Sequence, residues 1–309
     1  MVAYLFAGQG SQSVGMGKDL YENFPESKRI FEKADSVLGF SLTRLIFDGP
    51  QDELTKTQNS QPAILTVSIA ALEAFRLRYV KDKSEHPQFV AGLSLGEYSA
   101  LVAAGALKFE EAVYLVRRRG EFMEEEAQRF PGKMLSVIGL ELTEVKELCA
   151  ISGAEIANIN CPGQVVISGG VAEVAKAKDI ARQMNAKMMM ELQVSGAFHS
   201  SYMKEAAARF SAEVNKVKIN TPLIPVVSNV NARPAIAVEE IRENLVKQIY
   251  SSVQWLDSMK YMISEGVRKY FEFGPARVLK GLMRRIDPSV EVMSIENRQD
   301  LDNLINNNE

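Results

Sequence analysis

Apolar residues recur along the chain in short runs and in longer stretches with helical spacing. The runs at residues 2–6 and 89–91 predict strands. Later runs near 224–228 and 270–273 predict two more, of which the second is expected to be the last strand. Helical spacing predicts helices in the intervening segments, over residues 63–80, 109–127, 201–217, 239–250 and 255–265. The alternation of strand and helix indicates a mostly parallel sheet with helices on both faces.

The start of the first long helix is marked by two residues that disfavour a helix interior. Pro62 has no N–H group for a helical hydrogen bond, and Ser60 or a neighbour can cap the first turn. We therefore expect this helix to begin at about Ala63.

Residues 130–194 follow a different pattern from the rest of the chain. The segment that starts at Lys133 alternates like a strand. It is followed by a helix, two strands, a second helix and a strand that ends at Gln193. This β-α-β-β-α-β order is that of a ferredoxin-like unit. We therefore predict a small ferredoxin-like subdomain at 130–194, inserted into a large domain that comprises residues 1–129 and 195–309.

Composition agrees with this picture and narrows the function. Of the 309 residues, 46% are hydrophobic and 24% are charged, as in a globular protein. A net charge of −3 does not favour nucleic acid or an anionic membrane as a partner, and no apolar run is long enough to cross a bilayer. The two cysteines lack metal-site spacing, so we expect no metal site and a cytoplasmic location.

A Gly-x-Ser-x-Gly motif lies between the second predicted strand and a helix rich in alanine. Its residues are Gly92, Leu93, Ser94, Leu95 and Gly96. In this context the glycines permit a sharp turn that presents the serine hydroxyl at a helix N-terminus, as in nucleophile elbows. The alternative is a loop serine with a glycine near it on each side. The context predicts Ser94 as a candidate nucleophile.

Only two histidines could act as the base that a serine nucleophile needs. His86 lies in a polar link before the strand that leads to Ser94, where a surface position accounts for it. His199 lies at another junction of strand and helix, so its side chain can reach the same edge of the sheet. A helix N-terminus also favours the neutral imidazole. His199 is therefore the candidate base, and a helix-capping role is the alternative.

Three consecutive arginines lie on the helix predicted over residues 109–127. At 3.6 residues per turn, Arg119 falls on the apolar stripe, Arg117 points away from it, and Arg118 lies at its flank. A buried guanidinium needs a partner. That partner is either a carboxylate of the protein or a carboxylate of the substrate, and the sequence leaves both open. We expect Arg117 and Arg118 to face solvent.

Several segments together resemble the malonyl-CoA:acyl carrier protein transacylase family. They occur in the family's order and span nearly the whole chain: FAGQGSQ at 6–12, QPA at 61–63, GLSLGEY at 92–98, RG at 119–120, NCPGQVVISG at 160–169, GAFHS at 196–200, SN at 228–229, VQW at 253–255 and FGP at 273–275. The resemblance implies an α/β-hydrolase-like, mostly parallel sheet with an inserted ferredoxin-like subdomain. It also implies an enzyme of fatty acid synthesis that passes the malonyl group of malonyl-CoA to acyl carrier protein without a cofactor.

The family's pattern also implies the catalytic roles of individual residues. Ser94 matches the nucleophile and His199 the base. The backbone N–H groups of Gln9 and Leu95 match the oxyanion hole. Gln254 matches the position whose main-chain carbonyl orients the histidine.

Four further positions match substrate-binding residues of the family. Arg119 matches the clamp on the malonyl carboxylate, and Gln61 and Asn160 match pocket-lining positions. Phe198 resembles the residue before the histidine in malonyl-selective acyltransferase domains, and its bulk disfavours an α-methyl branch.

Three residues depart from the family's pattern. Leu93 stands where histidine is common, and Ala7 and Ser252 stand where proline is common. None of these changes removes a group that the chemistry needs, because the base lies elsewhere and the other two changes concern the backbone.

Two other classes of function share part of this pattern. A serine hydrolase or thioesterase uses the same elbow and histidine, but it needs no buried arginine. A catalytically silent module that binds carrier protein needs neither Ser94 nor His199. The presence of Ser94, His199 and Gln254 argues against the silent module, and nothing in the sequence demands more than a monomer.

Overall fold

The structure, a computed structural model, describes residues 1–80 and 85–306. Its strands form two sheets and are, in chain order, β1 Val2–Phe6, β2 Phe89–Gly92, β3 Gly132–Ile138, β4 Glu155–Cys161, β5 Gln164–Gly170, β6 Met188–Glu191, β7 Val226–Val227, β8 Pro234–Ala235, β9 Lys269–Phe273 and β10 Glu291–Ile295. The helices are α1 Lys18–Asn23, α2 Pro25–Leu38, α3 Leu42–Asp48, α4 Gln51–Thr55, α5 Thr57–Arg78, α6 Gly96–Ala103, α7 Phe109–Arg129, α8 Leu142–Ser152, α9 Val171–Gln183, α10 Lys204–Val214, α11 Val238–Lys247, α12 Trp255–Ser264, α13 Val278–Ile286 and α14 Arg298–Asn306.

The larger sheet has the strand order β10-β9-β1-β2-β7-β8. All of its pairings are parallel except the short β7–β8 pair at one edge. Its central strands are buried along their whole length, because helices cover both faces. On one face α5 contributes Phe75, whose ring centroid lies 4.7 Å from that of Phe271 on β9. The predicted α/β class with a mostly parallel sheet is confirmed.

Neighbouring strands of this sheet bring distant segments together at one edge. Phe6 at the end of β1 is paired with Gly92 at the end of β2, and β2 in turn pairs with β7. The loops that follow these strands carry Gln9, Ser94 and Asn229. Because parallel strands end at the same edge of the sheet, these loops meet there, as is usual for sites in open α/β sheets.

The smaller sheet is antiparallel and has the order β4-β5-β3-β6. With α8 and α9 packed on one face, this order is that of a ferredoxin-like unit, as predicted. Its edge strand β4 is joined to the larger domain, since Val253 donates to the carbonyl of Ala157 at 2.8 Å and accepts from the N–H of Ile159 at 3.0 Å. The division at residues 130 and 194 stays a prediction.

Several predicted boundaries are wrong, for local reasons. The strand that ends at Phe273, β9, is not the last strand of the chain, because β10 follows it and pairs with it in parallel. The helix expected over 201–217 begins as a 3-10 turn, Ser201–Met203, before α10 starts.

Helix α5 begins at Thr57, six residues before the predicted start, so Pro62 lies inside it. Proline leaves the carbonyl four residues earlier, that of Gln58, without its helical partner. Arg117 Nη1 donates to this carbonyl at 3.0 Å and to Asn59 Oδ1 at 2.7 Å. Arg117 is therefore half-buried at the α5–α7 contact, and the expectation that it faces solvent is wrong.

Candidate active site

Ser94 occupies a strained turn between β2 and α6. Its φ angle is +51°, in the left-handed region that residues with a Cβ rarely adopt. The two glycines of the motif make room for this turn. A Cβ on Gly92 would lie 1.9 Å from the carbonyl carbon of Gly96, and a Cβ on Gly96 would lie 2.2 Å from the carbonyl oxygen of Phe6. Both glycines are therefore required for the close approach of strand and helix.

His199 lies beside this serine. Its Nε2 atom is 2.8 Å from Ser94 Oγ, and its Nδ1 atom is 2.7 Å from the main-chain oxygen of Gln248. A carbonyl oxygen can only accept, so Nδ1 carries the proton and Nε2 is the acceptor for the serine O–H. The histidine also has a positive φ angle, +58°. The pair thus has the hydrogen-bond arrangement of a nucleophile and its base.

The carbonyl that orients the histidine belongs to Gln248, and the prediction of Gln254 is corrected. Gln248 follows the last turn of α11, where carbonyl groups lack helical partners and can accept from other groups. The carbonyl of Gln254 instead accepts from the N–H and the hydroxyl of Ser258, at 2.9 and 2.8 Å, because Gln254 caps α12. Gln254 still touches the site indirectly, since its N–H donates to the carbonyl of Asn229 at 2.8 Å.

Burial sets the charge state of the histidine. His199 is 6% exposed, and its burial together with the positive charge of Arg119 lowers the pKa of the imidazole to about 4. The ring is therefore neutral at physiological pH and can accept the serine proton.

The guanidinium of Arg119 lies next to the serine and is 1% exposed. It donates to Gln61 Oε1 at 2.9 Å, to Ser94 Oγ at 3.0 Å and to Gln248 Oε1 at 3.0 Å. In the described part of the chain no carboxylate oxygen lies within 4.0 Å of its nitrogens, and its Nε atom has no partner. Burial lowers the pKa of this guanidinium. Of the two open alternatives, a carboxylate partner within the protein is therefore not observed.

Beneath the serine lies a buried polar network that sequence reasoning did not assign. Asn229 Oδ1 accepts from the N–H of Ser94 at 2.6 Å, and its Nδ2 donates to the carbonyl of Gly92 at 2.8 Å. Glu97 is 3% exposed and accepts from the N–H of Asn229 at 3.2 Å. Burial raises the pKa of the Glu97 carboxyl to about 7. These contacts hold the strained turn in place.

One sequence signal could have pointed to Gln248. It lies at the i+7 position from Ile241 and at i+3 from Leu245, on the buried stripe of the predicted helix. An uncharged polar residue on an apolar stripe indicates a hydrogen-bonded role. No comparable periodic signal marks Asn229, which lies in a loop.

Two backbone N–H groups near Ser94 have no acceptor among the described residues. Within residues 1–80 and 85–306, neither the amide of Gln9 nor that of Leu95 donates to an acceptor. Leu95 directly precedes α6, and the side chain of Gln9 reaches Thr57 Oγ1 at 3.5 Å. The predicted pair of oxyanion donors is therefore available in the structure.

A cavity of about 310 Å³ opens over Ser94 between the two sheets. Asn160, a predicted pocket-lining position, lines it together with Gln9, Phe198 and His199. Asn160 Oδ1 is buried and has no partner among the described atoms. Gln61, the other predicted pocket-lining position, does not line this cavity, since its side chain is buried and accepts from Arg119.

Comparison with known proteins identifies the family. The model of the acyl transferase domain family matches residues 3–273. The malonyl CoA-acyl carrier protein transacylase of Bacillus subtilis is 44% identical over 306 residues, which cover 97% of this chain and 95% of the relative. The chain belongs to the malonyl CoA-acyl carrier protein transacylase family. The Staphylococcus aureus member of this transacylase family is 42% identical over 307 residues, 97% of this chain and 96% of the relative.

Solved structures of the transacylase family share the whole fold. An acyl carrier protein S-malonyltransferase of Vibrio cholerae has a TM-score of 0.93 at 37% identity, over 98% of this chain and 99% of the other. A malonyl-transacylase in complex with its type II PKS acyl-carrier protein has a TM-score of 0.94 at 36% identity, over 99% of both chains. The chain is therefore an acyltransferase.

Two further features of the described residues concern metals and membranes. They contain no group of three or more His, Cys, Asp or Glu residues that could hold a metal ion. No helix among them is both long and apolar enough to span a bilayer.

Proposed function

We propose that this protein transfers the malonyl group of malonyl-CoA to the phosphopantetheine thiol of acyl carrier protein, through a malonyl ester of Ser94. The names of the relatives support the reaction. The observation that carries the mechanism is the Arg119 guanidinium, which is buried 3.0 Å from Ser94 Oγ and has no carboxylate of the protein as a partner. A substrate carboxylate two carbons from the reacting carbonyl carbon supplies that partner.

The first half-reaction acylates the serine. His199 Nε2 takes the hydroxyl proton while Ser94 Oγ attacks the thioester carbonyl carbon, whose oxygen becomes an oxyanion. The N–H groups of Gln9 and Leu95 stabilise this oxyanion, each by a factor on the order of 10²–10³ in rate. The intermediate then expels the CoA thiolate, which takes the proton from His199 and leaves as the thiol.

The second half-reaction reverses these steps with a different thiol. The phosphopantetheine thiol gives its proton to His199 and attacks the ester carbonyl, and Ser94 leaves with the proton returned to it. The Gln248 carbonyl keeps the Nδ1–H of His199 in place in both directions. Because CoA leaves before the carrier protein reacts, the kinetics are ping-pong.

Intact-mass spectrometry tests this proposal directly. The wild-type protein treated with malonyl-CoA should gain one malonyl group, which then moves to added holo acyl carrier protein. Ser94→Ala should gain none. An adduct that persists in Ser94→Ala contradicts the assignment of the nucleophile. If the malonyl group appears as free malonate instead of on the carrier protein, the protein is a hydrolase.

The cytoplasmic location and the monomeric state remain predictions from the sequence. Multi-angle light scattering of the purified protein tests the second of them, with an expected mass near the chain mass of 34.3 kDa.

A further inference from the structure

Glu97 has no part in the proposed reaction, although it lies directly beneath the nucleophile. It belongs to the first turn of α6, and its buried carboxylate contacts the loop after β7 and the residue that follows α11. One of its oxygens, Oε2, accepts two hydrogen bonds. They come from the N–H of Asn229 at 3.2 Å and from Gln248 Nε2 at 2.5 Å. A buried carboxylate so close to a reaction centre needs a physical account.

The chemistry of this carboxylate determines which way the side-chain amide of Gln248 faces. Gln248 Nε2 donates to Glu97 and also to the carbonyl oxygen of Ser94 at 3.0 Å, so its Oε1 is turned towards Arg119 Nη2 at 3.0 Å. The reversed amide would place an oxygen against two acceptors and an NH₂ group against the guanidinium. Each of those contacts would be repulsive or unmade, and all of the groups are buried.

We propose that Glu97 is a positioning residue for substrate selection: it orients the Gln248 amide, which holds the Arg119 guanidinium where it meets the carboxylate of the acyl group. This inference rests on the proposed function, since it assumes that Arg119 binds the substrate. It assigns a task to a residue that touches neither the substrate nor the reacting atoms. Gln248 thereby contacts both functional groups: its main-chain oxygen accepts from the base His199, and its side-chain oxygen accepts from Arg119.

The arrangement holds in either charge state of Glu97. Both groups that contact Oε2 are N–H donors, so this oxygen remains an acceptor whether or not the carboxyl is protonated. A proton would reside on the other oxygen, Oε1. The orientation of the Gln248 amide therefore does not depend on the titration of Glu97.

The test removes the acceptor with an apolar side chain of similar length, Glu97→Met, and measures single-turnover acylation of Ser94 by malonyl-CoA and acetyl-CoA. We expect the malonyl-to-acetyl ratio of acylation efficiency to fall about tenfold, as for the loss of one buried hydrogen bond. The fall should come from a higher half-saturating malonyl-CoA concentration, with the limiting rate within about threefold of wild type. In an Arg119→Ala background the same change should alter the ratio by less than about twofold, because Glu97 acts through Arg119.

Glu26→Met provides the matched control, since Glu26 is a buried carboxylate on α2 that pairs with Arg78 away from the site. It should leave the ratio at the wild-type value. A wild-type ratio in Glu97→Met, an equal fall in Glu26→Met, or an additive effect in the Arg119→Ala background would each overturn the inference.

If Glu97→Met does not fold, Glu97→Asp takes its place. It keeps the acceptor but shortens its reach, so the ratio should again fall, and an unchanged ratio is the contrary result. Acylation is read before any carrier protein is present. Acylated Ser94 that never passes its group to carrier protein therefore contradicts the proposed function without deciding this inference, which the ratio alone decides.

Discussion

Removal of the Arg119 side chain separates the recognition of the substrate from the chemistry of the serine. The variant Arg119→Ala keeps both Ser94 and His199, which contact each other at 2.8 Å, and removes the 3.0 Å hydrogen bond from the guanidinium to Ser94 Oγ. It removes the positive charge that we propose as the binding partner of the malonyl carboxylate. The carboxylate would then enter a buried site without a partner.

The size of the effect follows from the surroundings of the guanidinium. Arg119 is 1% exposed, and its three acceptors are uncharged, so no charge of the protein within 4.0 Å replaces the substrate carboxylate among the described residues. Loss of one partner of a buried, hydrogen-bonded charge pair typically costs about 2–5 kcal/mol. This corresponds to a decrease of roughly 30- to 5,000-fold in kcat/KM for malonyl-CoA. Acetyl-CoA has no carboxylate, so its kcat/KM should not fall by a comparable factor.

The assay measures transfer from malonyl-CoA and from acetyl-CoA to holo acyl carrier protein, with Arg118→Ala as the matched control. Arg118 precedes Arg119 on α7 and pairs with Glu121 near the surface, so its removal should leave the ratio of the two donors unchanged. If Arg119→Ala transfers malonyl groups at the wild-type rate, the clamp is refuted. An equal loss of transfer with both donors would indicate that Arg119 acts on Ser94 and not on the carboxylate of the substrate.

Three further predictions follow from the geometry. Gly92→Ala should abolish labelling of the protein by malonyl-CoA, because the elbow has no room for a Cβ at this position. It should also lower the free energy of unfolding by at least about 1–3 kcal/mol, as measured in a thermal melt. An active variant of unchanged stability would contradict this account of the turn. The acylation rate of the wild type should stay level as the pH falls from 8 to about 5.5, because the pKa of His199 is about 4. In Arg119→Ala the decrease at acid pH should occur at higher pH, because this variant lacks the positive charge that helps to lower the pKa of His199. A decrease centred near pH 6.5 in the wild type would contradict this prediction. Arg117→Ala should lower the free energy of unfolding in urea by about 1–3 kcal/mol, because it removes the hydrogen bonds to the carbonyl of Gln58 and to Asn59 Oδ1. The acyl selectivity should not change. Unchanged stability would show that these hydrogen bonds do not stabilise the fold.

The sequence by itself determined the class of the fold and the central pair of the site. Alternating strands and helices predicted the parallel sheet, and the β-α-β-β-α-β order predicted the ferredoxin-like insert, because periodicity is a local property of the chain. The glycines around Ser94 indicated the elbow for the same reason, since the turn is local. The scarcity of histidine left His199 as the candidate base, and the two side chains lie 2.8 Å apart.

The tertiary structure decided what depends on segments far apart in the chain. The carbonyl that orients His199 belongs to Gln248 and not to Gln254, because the choice depends on where α11 ends relative to the histidine loop. Pro62 lies inside a helix because Arg117, from another helix, satisfies the carbonyl that the proline leaves free.

The partners of Arg119 show the same limit. Helical spacing predicted that this side chain is buried, but spacing on one helix cannot say which residues of other elements face it. Its neighbours come from α5, from the elbow and from the residue after α11, and they are brought together only when the strand order of the sheet places those elements around one point. The local sequence pattern predicts whether a side chain is buried, whereas the packing of distant elements determines which residues it contacts.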